Sequence, residues 1–287
     1  MLARGRTLRR VLGPLCGLTA GLSWGVADFF AARGARSLPP AATAFVVKAL
    51  GTAAFAVAVL AVSPGVLDLA VVPPAEAAGA GVLMTCGMLW FYRALSCGPV
   101  SIVSPVSSAY PLVTAAVSVA VLGAPLSARD GAGIAAVVAG VALSSGVTAT
   151  GPAERGLRPA VAAALAWGVG AAVIARAVQT AGWQSATLVE LVAGTLTFAA
   201  IPGATRPGRA VLASRAVWLA AVAQQGGESV FNLGLAHGGS PAVVSALSAC
   251  YPAVTVLLAL RGFGERLRPG ALSGAVLTIG GVAMLTA

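Results

Sequence analysis

The sequence predicts an all-α integral membrane protein with about ten transmembrane helices, folded as two inverted five-helix repeats. Three observations predict it. Hydrophobic residues make up 58% of the 287-residue chain and charged ones only 9%, with a mean hydropathy of +0.93, whereas soluble domains carry about 25% charged residues. Apolar runs of about 20 residues, the length that crosses a hydrocarbon core, recur about ten times. The second half also repeats the first. Thirty-six Gly and 17 Pro do not signal disorder here, because Ala, Val and Leu surround them.

Bounded by charged residues or Pro/Gly breaks, the runs lie near 13–32, 40–62, 77–95, 100–122, 130–148, 159–179, 184–202, 214–236, 241–260 and 269–287. The first follows Arg4, Arg6, Arg9 and Arg10, as a signal peptide would. It runs on through Trp24 to Phe30, however, and has a counterpart later in the chain, which predicts a retained helix. Gly13, Gly17, Gly21 and Gly25 recur on it every four residues, a bare stripe of the kind along which membrane helices approach closely. The second run holds Lys48, the seventh Glu190, and the eighth Gln224, Gln225, Glu228 and Asn232 around Gly226-Gly227. In the fourth and ninth, Ser104, Ser107, Pro111 and Thr114, and likewise Ser245, Ser248, Pro252 and Thr255, follow i, i+3, i+7, i+10 spacing. Each set draws one polar, kinked stripe. Its hydroxyls either satisfy carbonyls that Pro leaves free or line a watery path.

The repeat fixes the architecture before any motif does. A shift of 143 superposes Leu22, Trp24, Gly25, Val26, Ala32 and Arg33 on Leu165, Trp167, Gly168, Val169, Ala175 and Arg176, and pairs Gly51, Thr52 and Phe55 with Gly194, Thr195 and Phe198. A shift of 140 pairs Phe91, Leu95 and Gly98 with Phe231, Leu235 and Gly238. A shift of 141 pairs Tyr110-Pro111 with Tyr251-Pro252, and carries on through Gly123, Leu126, Gly133 and Gly140 to Gly264, Leu267, Gly274 and Gly281. The expected repeats are residues 1–150 and 151–287. An odd number of spans per repeat sends the second copy in from the opposite side, the arrangement in which secondary transporters place a site at the repeat interface.

An ionisable residue inside a span costs about 2.5–3.5 kcal/mol on insertion scales, so each asks for a reason. Glu228 lies near the centre of its run, with Gln225 three residues before and Asn232 four after. Their first-half equivalents are Thr85, Met88 and Tyr92, so the cluster breaks the pseudo-symmetry and points to substrate or proton binding rather than to a fold requirement. The alternative is a buried hydrogen-bond network. Glu190 and Lys48 fall one residue apart under the repeat and could pair across the interface, although Lys48 could equally snorkel. Asp28, one turn after Trp24, is placed near the membrane edge. Trp24, Trp167, Tyr110 and Tyr251, with Ser107 and Ser248, complete the candidate binding set, with interfacial anchoring as the aromatic residues' other role. Arg33, Arg93 and Arg176 read as lipid-facing anchors and His237 as incidental. Because Asp28, Glu190 and Glu228 outnumber Lys48, and burial disfavours lone charge, the expectation is proton-coupled transport of a small cationic or zwitterionic metabolite, with protonation of Glu228 and substrate binding in competition.

These motifs together resemble the drug/metabolite transporter superfamily in its ten-helix EamA-like branch. Trp24-Gly25 and Trp167-Gly168, Tyr110-Pro111 and Tyr251-Pro252, and Gly264-Glu265-Arg266-Leu267 before the last run carry the likeness, which covers almost the whole chain. The resemblance implies a carrier that moves small metabolites, often outward, through a cavity lined by both halves. One departure is visible: Ala124 stands opposite Glu265 in the repeat, where the family usually has Glu.

The expected function is therefore a secondary active transporter, an exporter of a small metabolite. A multidrug or cationic-compound efflux carrier and a lipid-linked substrate flippase of the same fold are the alternatives. Aromatic residues at 6% do not favour the multidrug reading. No H-E-x-x-H pair or P-loop is present, so neither an enzyme nor a cofactor is expected. Cys16, Cys86, Cys97 and Cys250 lack metal-ligand spacing, and no metal is expected. The +10 net charge, with 17 of 18 cations being Arg, suits lipid phosphates better than nucleic acid, since no basic stripe is formed. The partners expected are a small-molecule substrate, protons and the lipid bilayer, with the protein a monomer or homodimer in the plasma (inner) membrane. With the N-terminus inside, six arginines (Arg4, Arg6, Arg9, Arg10, Arg129, Arg176) face the cytoplasm against eleven opposite, which by the positive-inside rule favours the other orientation. The resemblance implies both termini in the cytoplasm, and that orientation is the one adopted.

Overall fold

The computed structural model describes residues 2–123, 125–145, 152–237, 240–262 and 270–286, and among them the chain is helical without strands. In order come α1 (Leu2–Ala35), α2 (Pro40–Val62), a 3-10 turn (Pro64–Val66), α3 (Pro74–Cys97), α4 (Val100–Ser107), α5 (Tyr110–Ala120), α6 (Ala128–Ser145) and α7 (Pro152–Ala181). They are followed by α8 (Trp183–Ala199), α9 (Arg209–Ala213), α10 (Arg215–Ala236), α11 (Pro241–Ser248), α12 (Tyr251–Gly262) and α13 (Ala271–Thr286). Ala124, Gly238 and the Gly264-Glu265-Arg266-Leu267 motif lie outside the described residues.

Length and composition single out six segments able to cross a membrane: Leu12–Ala35, Pro40–Val62, Pro74–Cys97, Ile102–Ala120, Arg155–Ala181 and Pro241–Gly262. The expected ten are thus only partly met. Helix α8 has 17 residues and α13 has 16, while Arg129 and Asp130 dilute the apolar character of α6, and Gln224, Gln225, Glu228 and Asn232 that of α10. Helix α2 keeps both expected limits, because Pro39-Pro40 opens it and Ser63-Pro64 closes it. Helices α1 and α7 run longer than the apolar pattern, since Arg forms helix as readily as Leu does.

The fourth and ninth runs are broken rather than kinked. Pro111 has no N–H for the carbonyl four residues back, and its ring crowds that turn. The chain answers with two residues near the bridge region, Ser108 (φ −73°, ψ −1°) and Ala109 (φ −73°, ψ −3°), between α4 and α5. Pro252 does the same between α11 and α12, where Ala249 has φ −66° and ψ 0°. Hydroxyls fill in around both breaks: Ser107 donates to Ser104 O at 2.9 Å, and Ser248 to Ser245 O at 3.0 Å.

Close backbone approach then assembles the bundle, since in lipid helices gain little from hiding apolar surface and must rely on contact. The glycine stripe of α1 faces α11 and α12. A methyl group on Gly17, Gly21 or Gly25 would lie 2.8, 2.6 and 2.7 Å from the carbonyl oxygens of Val244, Ser248 and Tyr251. A methyl group on Gly168 of α7 would likewise lie 2.7 Å from Tyr110 O. Such contacts recur with the halves exchanged: Thr255 donates to Gly25 O at 3.2 Å and Thr114 to Gly168 O at 3.1 Å, and Thr52 bonds Thr195 at 2.8 Å. Helix α1 packs mainly on α10, α3 on α7, and α6 on α13. Large apolar side chains remain on the outside, among them Leu22, Val57, Val222 and Ile279, a surface suited to acyl chains rather than water.

Candidate functional site

Helices α2, α8 and α10 each bring one ionisable group to a common point. Lys48 Nζ lies 3.0 Å from Glu228 Oε1 and 3.9 Å from Glu190 Oε1. The first is a charge-assisted hydrogen bond; the second is a bare ion pair, and Glu190 Oε1 has no hydrogen-bond partner among the described residues. All three are buried, at 4%, 8% and 1% exposure. Asn232, one turn beyond Glu228, donates through Nδ2 to Thr187 Oγ1 at 2.8 Å and to Glu190 Oε2 at 3.3 Å, which fixes the second carboxylate. Buried ions persist only when paired and hydrogen-bonded. Two carboxylates around one ammonium leave this cluster one negative charge in excess when all three are ionised.

The cluster borders a cavity between the two halves, lined also by Trp24, Asp28, Tyr110, Trp167, Gln224 and Tyr251. The cavity volume is about 70 Å³, so the lumen is slender as it stands. Two tryptophans roof it in matched fashion. Trp24 Nε1 donates to Gln224 O at 3.3 Å and Trp167 Nε1 to Met84 O at 3.2 Å. Each indole brings its Cδ1–Nε1 edge against a glycine, Gly227 or Gly87, whose missing side chain is what lets it in. Phe231 and Phe91 flank them at ring separations of 5.4 and 5.1 Å.

The tyrosines tie the two helix breaks together. Tyr251 Oη bonds Ser107 Oγ at 2.8 Å and donates to Ser104 O at 3.3 Å, while Tyr110 Oη bonds Ser248 Oγ and donates to Ser245 O at 3.1 Å. Ser104 Oγ in turn donates to Asp28 Oδ2 at 3.2 Å. Asp28 is 5% exposed.

Several sequence expectations need correction. Lys48 does not snorkel: it meets Glu190, the pairing the repeat suggests, at 3.9 Å, and it also holds Glu228, at 3.0 Å, a pairing the repeat does not suggest. Gln225 is not among the cavity-lining residues: its Nε2 donates to Ser229 Oγ at 3.2 Å and its side chain lies against Gly51. Helical geometry separates the two glutamines by about 100° around α10, and Gln225 falls on the side that packs against Gly51 of α2. Ser107 and Ser248 are fully buried behind the tyrosines they bond and do not line the cavity. Asp28 sits in the cavity wall. Met84, Met88, Ala171 and Phe231 also line the cavity, and sequence reasoning missed them. Repeat bookkeeping would have found the first three, because they occupy the positions matching Gln224, Glu228 and Asp28, whereas Phe231 matches Phe91, which is not among the lining residues. Arg33 and Arg93 are exposed at helix ends, Arg176 faces Glu76 at 3.8 Å, and the His237 ring contacts Leu233 O at 2.9 Å. No group of His, Cys, Asp and Glu able to hold a metal is found among the described residues.

A family model described as the EamA-like transporter family matches residues 11–146 and again 155–287. A solved structure described as "Crystal structure of protein" aligns with a TM-score of 0.71 at 22% identity, over 95% of this chain and 95% of its own. That likeness concerns the fold. No curated protein matches the sequence.

Proposed function

The chain belongs to the EamA-like transporter family, a family of membrane transporters, and from that premise we propose that it is a proton-coupled exporter of a small cationic or zwitterionic metabolite. In this reading ten segments cross the plasma (inner) membrane as two inverted repeats, residues 1–150 and 151–287, with both termini in the cytoplasm and the cavity alternately open to each side. The observation that carries it is the buried Lys48–Glu228–Glu190 cluster on the wall of a cavity shared by both halves. Charges at such depth are costly and have no packing role that Met or Leu would not fill better. The negative charge of the cavity, on this cluster and on Asp28, is neutralised by a proton in one state and by a bound cation in the other. Competition for that charge couples the two fluxes.

A second reading has an observation of its own. Five of the cavity-lining residues are aromatic (Trp24, Tyr110, Trp167, Phe231 and Tyr251), so a chain poor in aromatic residues gathers them where a hydrophobic cation would lie, which favours efflux of cationic compounds. Both readings are tested in proteoliposomes by imposing a pH jump and following labelled amines and amino acids. Glu228→Gln and Glu190→Gln should retain exchange without a gradient but lose acceleration by it. Unchanged gradient dependence in both variants would remove the cluster from coupling.

A further inference from the structure

The cavity has two chemically different walls, and the repeat makes the difference measurable position by position. Where the first half places Asp28 on α1, the second places Ala171 on α7; where the second places Gln224 and Glu228 on α10, the first places Met84 and Met88 on α3. All six line the cavity. Because α1 packs on α10 and α3 on α7, one wall is acidic and amide-bearing and the wall opposite is thioether and methyl. The polar wall holds two anionic sites in different circumstances. Glu228 is already answered by Lys48 at 3.0 Å, and an incoming ammonium there would meet a resident one. Asp28 has hydroxyl neighbours and no Lys, Arg or His within ion-pair distance among the described residues.

From this we propose that Asp28 is the residue that binds the substrate's ammonium group, and that the substrate is an amphipathic amine whose apolar body lies on Met84, Met88 and Ala171. The proposal rests on the carrier reading above and names its ligand class. Trp24 stands one turn before Asp28 on α1, so both project from one face of that helix. Ser104 joins Asp28 to Tyr251, since its hydroxyl donates to the carboxylate and its carbonyl accepts from the tyrosine. A carboxylate in a cavity that Trp24 and Tyr251 also line is the environment a desolvated alkylammonium needs, for charge neutralisation from the acid and cation–π contact from a ring. Methionines opposite it suit an apolar body, because an unbranched thioether adapts to irregular shapes.

The test uses the full chain in nanodiscs with three probes: phenethylamine, its neutral isostere 2-phenylethanol, and ethylamine, which keeps the charge and lacks the body. Binding is followed by tryptophan fluorescence and by calorimetry. Wild type should prefer phenethylamine over each of the others at least tenfold. Asp28→Asn should lose that preference over the alcohol, Asp28→Glu should keep most of it, and Glu76→Gln, outside the cavity, should match wild type. Equal affinity for amine and alcohol in the wild type overturns the proposal even if Asp28→Asn fails to fold, and so does an undiminished preference in Asp28→Asn. Proteoliposome flux of the same amine separates the two readings. Binding through Asp28 with no transmembrane movement contradicts the carrier and leaves the site standing; equal flux in wild type and Asp28→Asn contradicts the site and leaves the carrier standing.

Discussion

Replacing Lys48 with Met removes the one cation that answers two buried carboxylates, and the cost follows from the distances. At an effective dielectric of about 20, unit charges 3.0 and 3.9 Å apart attract by roughly 5.5 and 4.3 kcal/mol. Part of this is already spent on taking the ammonium out of water and on the repulsion between the two acids. Breaking a buried pair from one side costs about 3–5 kcal/mol, and Lys48→Met should fall in that range near neutral pH. Glu228→Gln should cost less, about 1–2 kcal/mol, because it leaves Lys48 and Glu190 as a neutral pair with Asn232 still on Glu190 Oε2. Together the two substitutions should cost less than the sum of their separate effects, by more than about 1.5 kcal/mol. Acid should relieve part of the Lys48→Met loss, since protonation discharges the carboxylates left alone. Thermal and denaturant unfolding in one detergent, at two pH values, gives all four numbers. A Lys48→Met loss below about 1 kcal/mol, or strict additivity with Glu228→Gln, would refute the cluster as drawn.

Gly227→Ala would bring a methyl group to 2.5 Å from the Trp24 indole, and should lower thermal stability by about 1–3 kcal/mol; Gly87→Ala, against Trp167, should do the same if the halves are equivalent. Tyr251→Phe deletes the hydroxyl that bonds Ser107 Oγ and Ser104 O, and should cost about 1 kcal/mol or somewhat more, with a smaller loss when Ser107→Ala is already present. In transport assays Gln224→Ala should raise the KM for the amine severalfold while Gln225→Ala leaves it unchanged, because only the former reaches the cavity wall. Equal effects of the two would show that α10 is rotated from its described position.

The fold was readable from local rules wherever those rules act alone. Pro39-Pro40 and Ser63-Pro64 set α2 to the residue, and the recurrence of Trp-Gly and Tyr-Pro exposed the repeat on which the tryptophan and tyrosine pairs are now seen to meet. The sequence predicts only a kink before Tyr110, where the chain breaks, since Pro111 cannot donate but nothing local states how far the chain will turn to accommodate it. The four aromatic candidates all line the cavity, but their contacts lay beyond reach: Ser107 and Ser248 share a stripe with the tyrosines in sequence, whereas in space each serves the tyrosine of the other half. The Lys48–Glu228 pair joins residues 180 positions apart on helices whose relative rotation no sequence pattern states. A depth estimate can suggest that opposite charges lie level, as it did for Lys48 and Glu190. Which of two acids the ammonium reaches depends on tilts of a few degrees.

Access to the cavity from each side of the membrane tests the carrier mechanism most directly. With Cys16, Cys86, Cys97 and Cys250 replaced by Ser or Ala and Gln224→Cys introduced at the cavity wall, a membrane-impermeant maleimide is applied to right-side-out and to inverted vesicles. A cavity that opens alternately to the two faces predicts labelling from both, and protection by phenethylamine in each case. Labelling from neither face, or from one face only under every gradient and ligand condition, would contradict it.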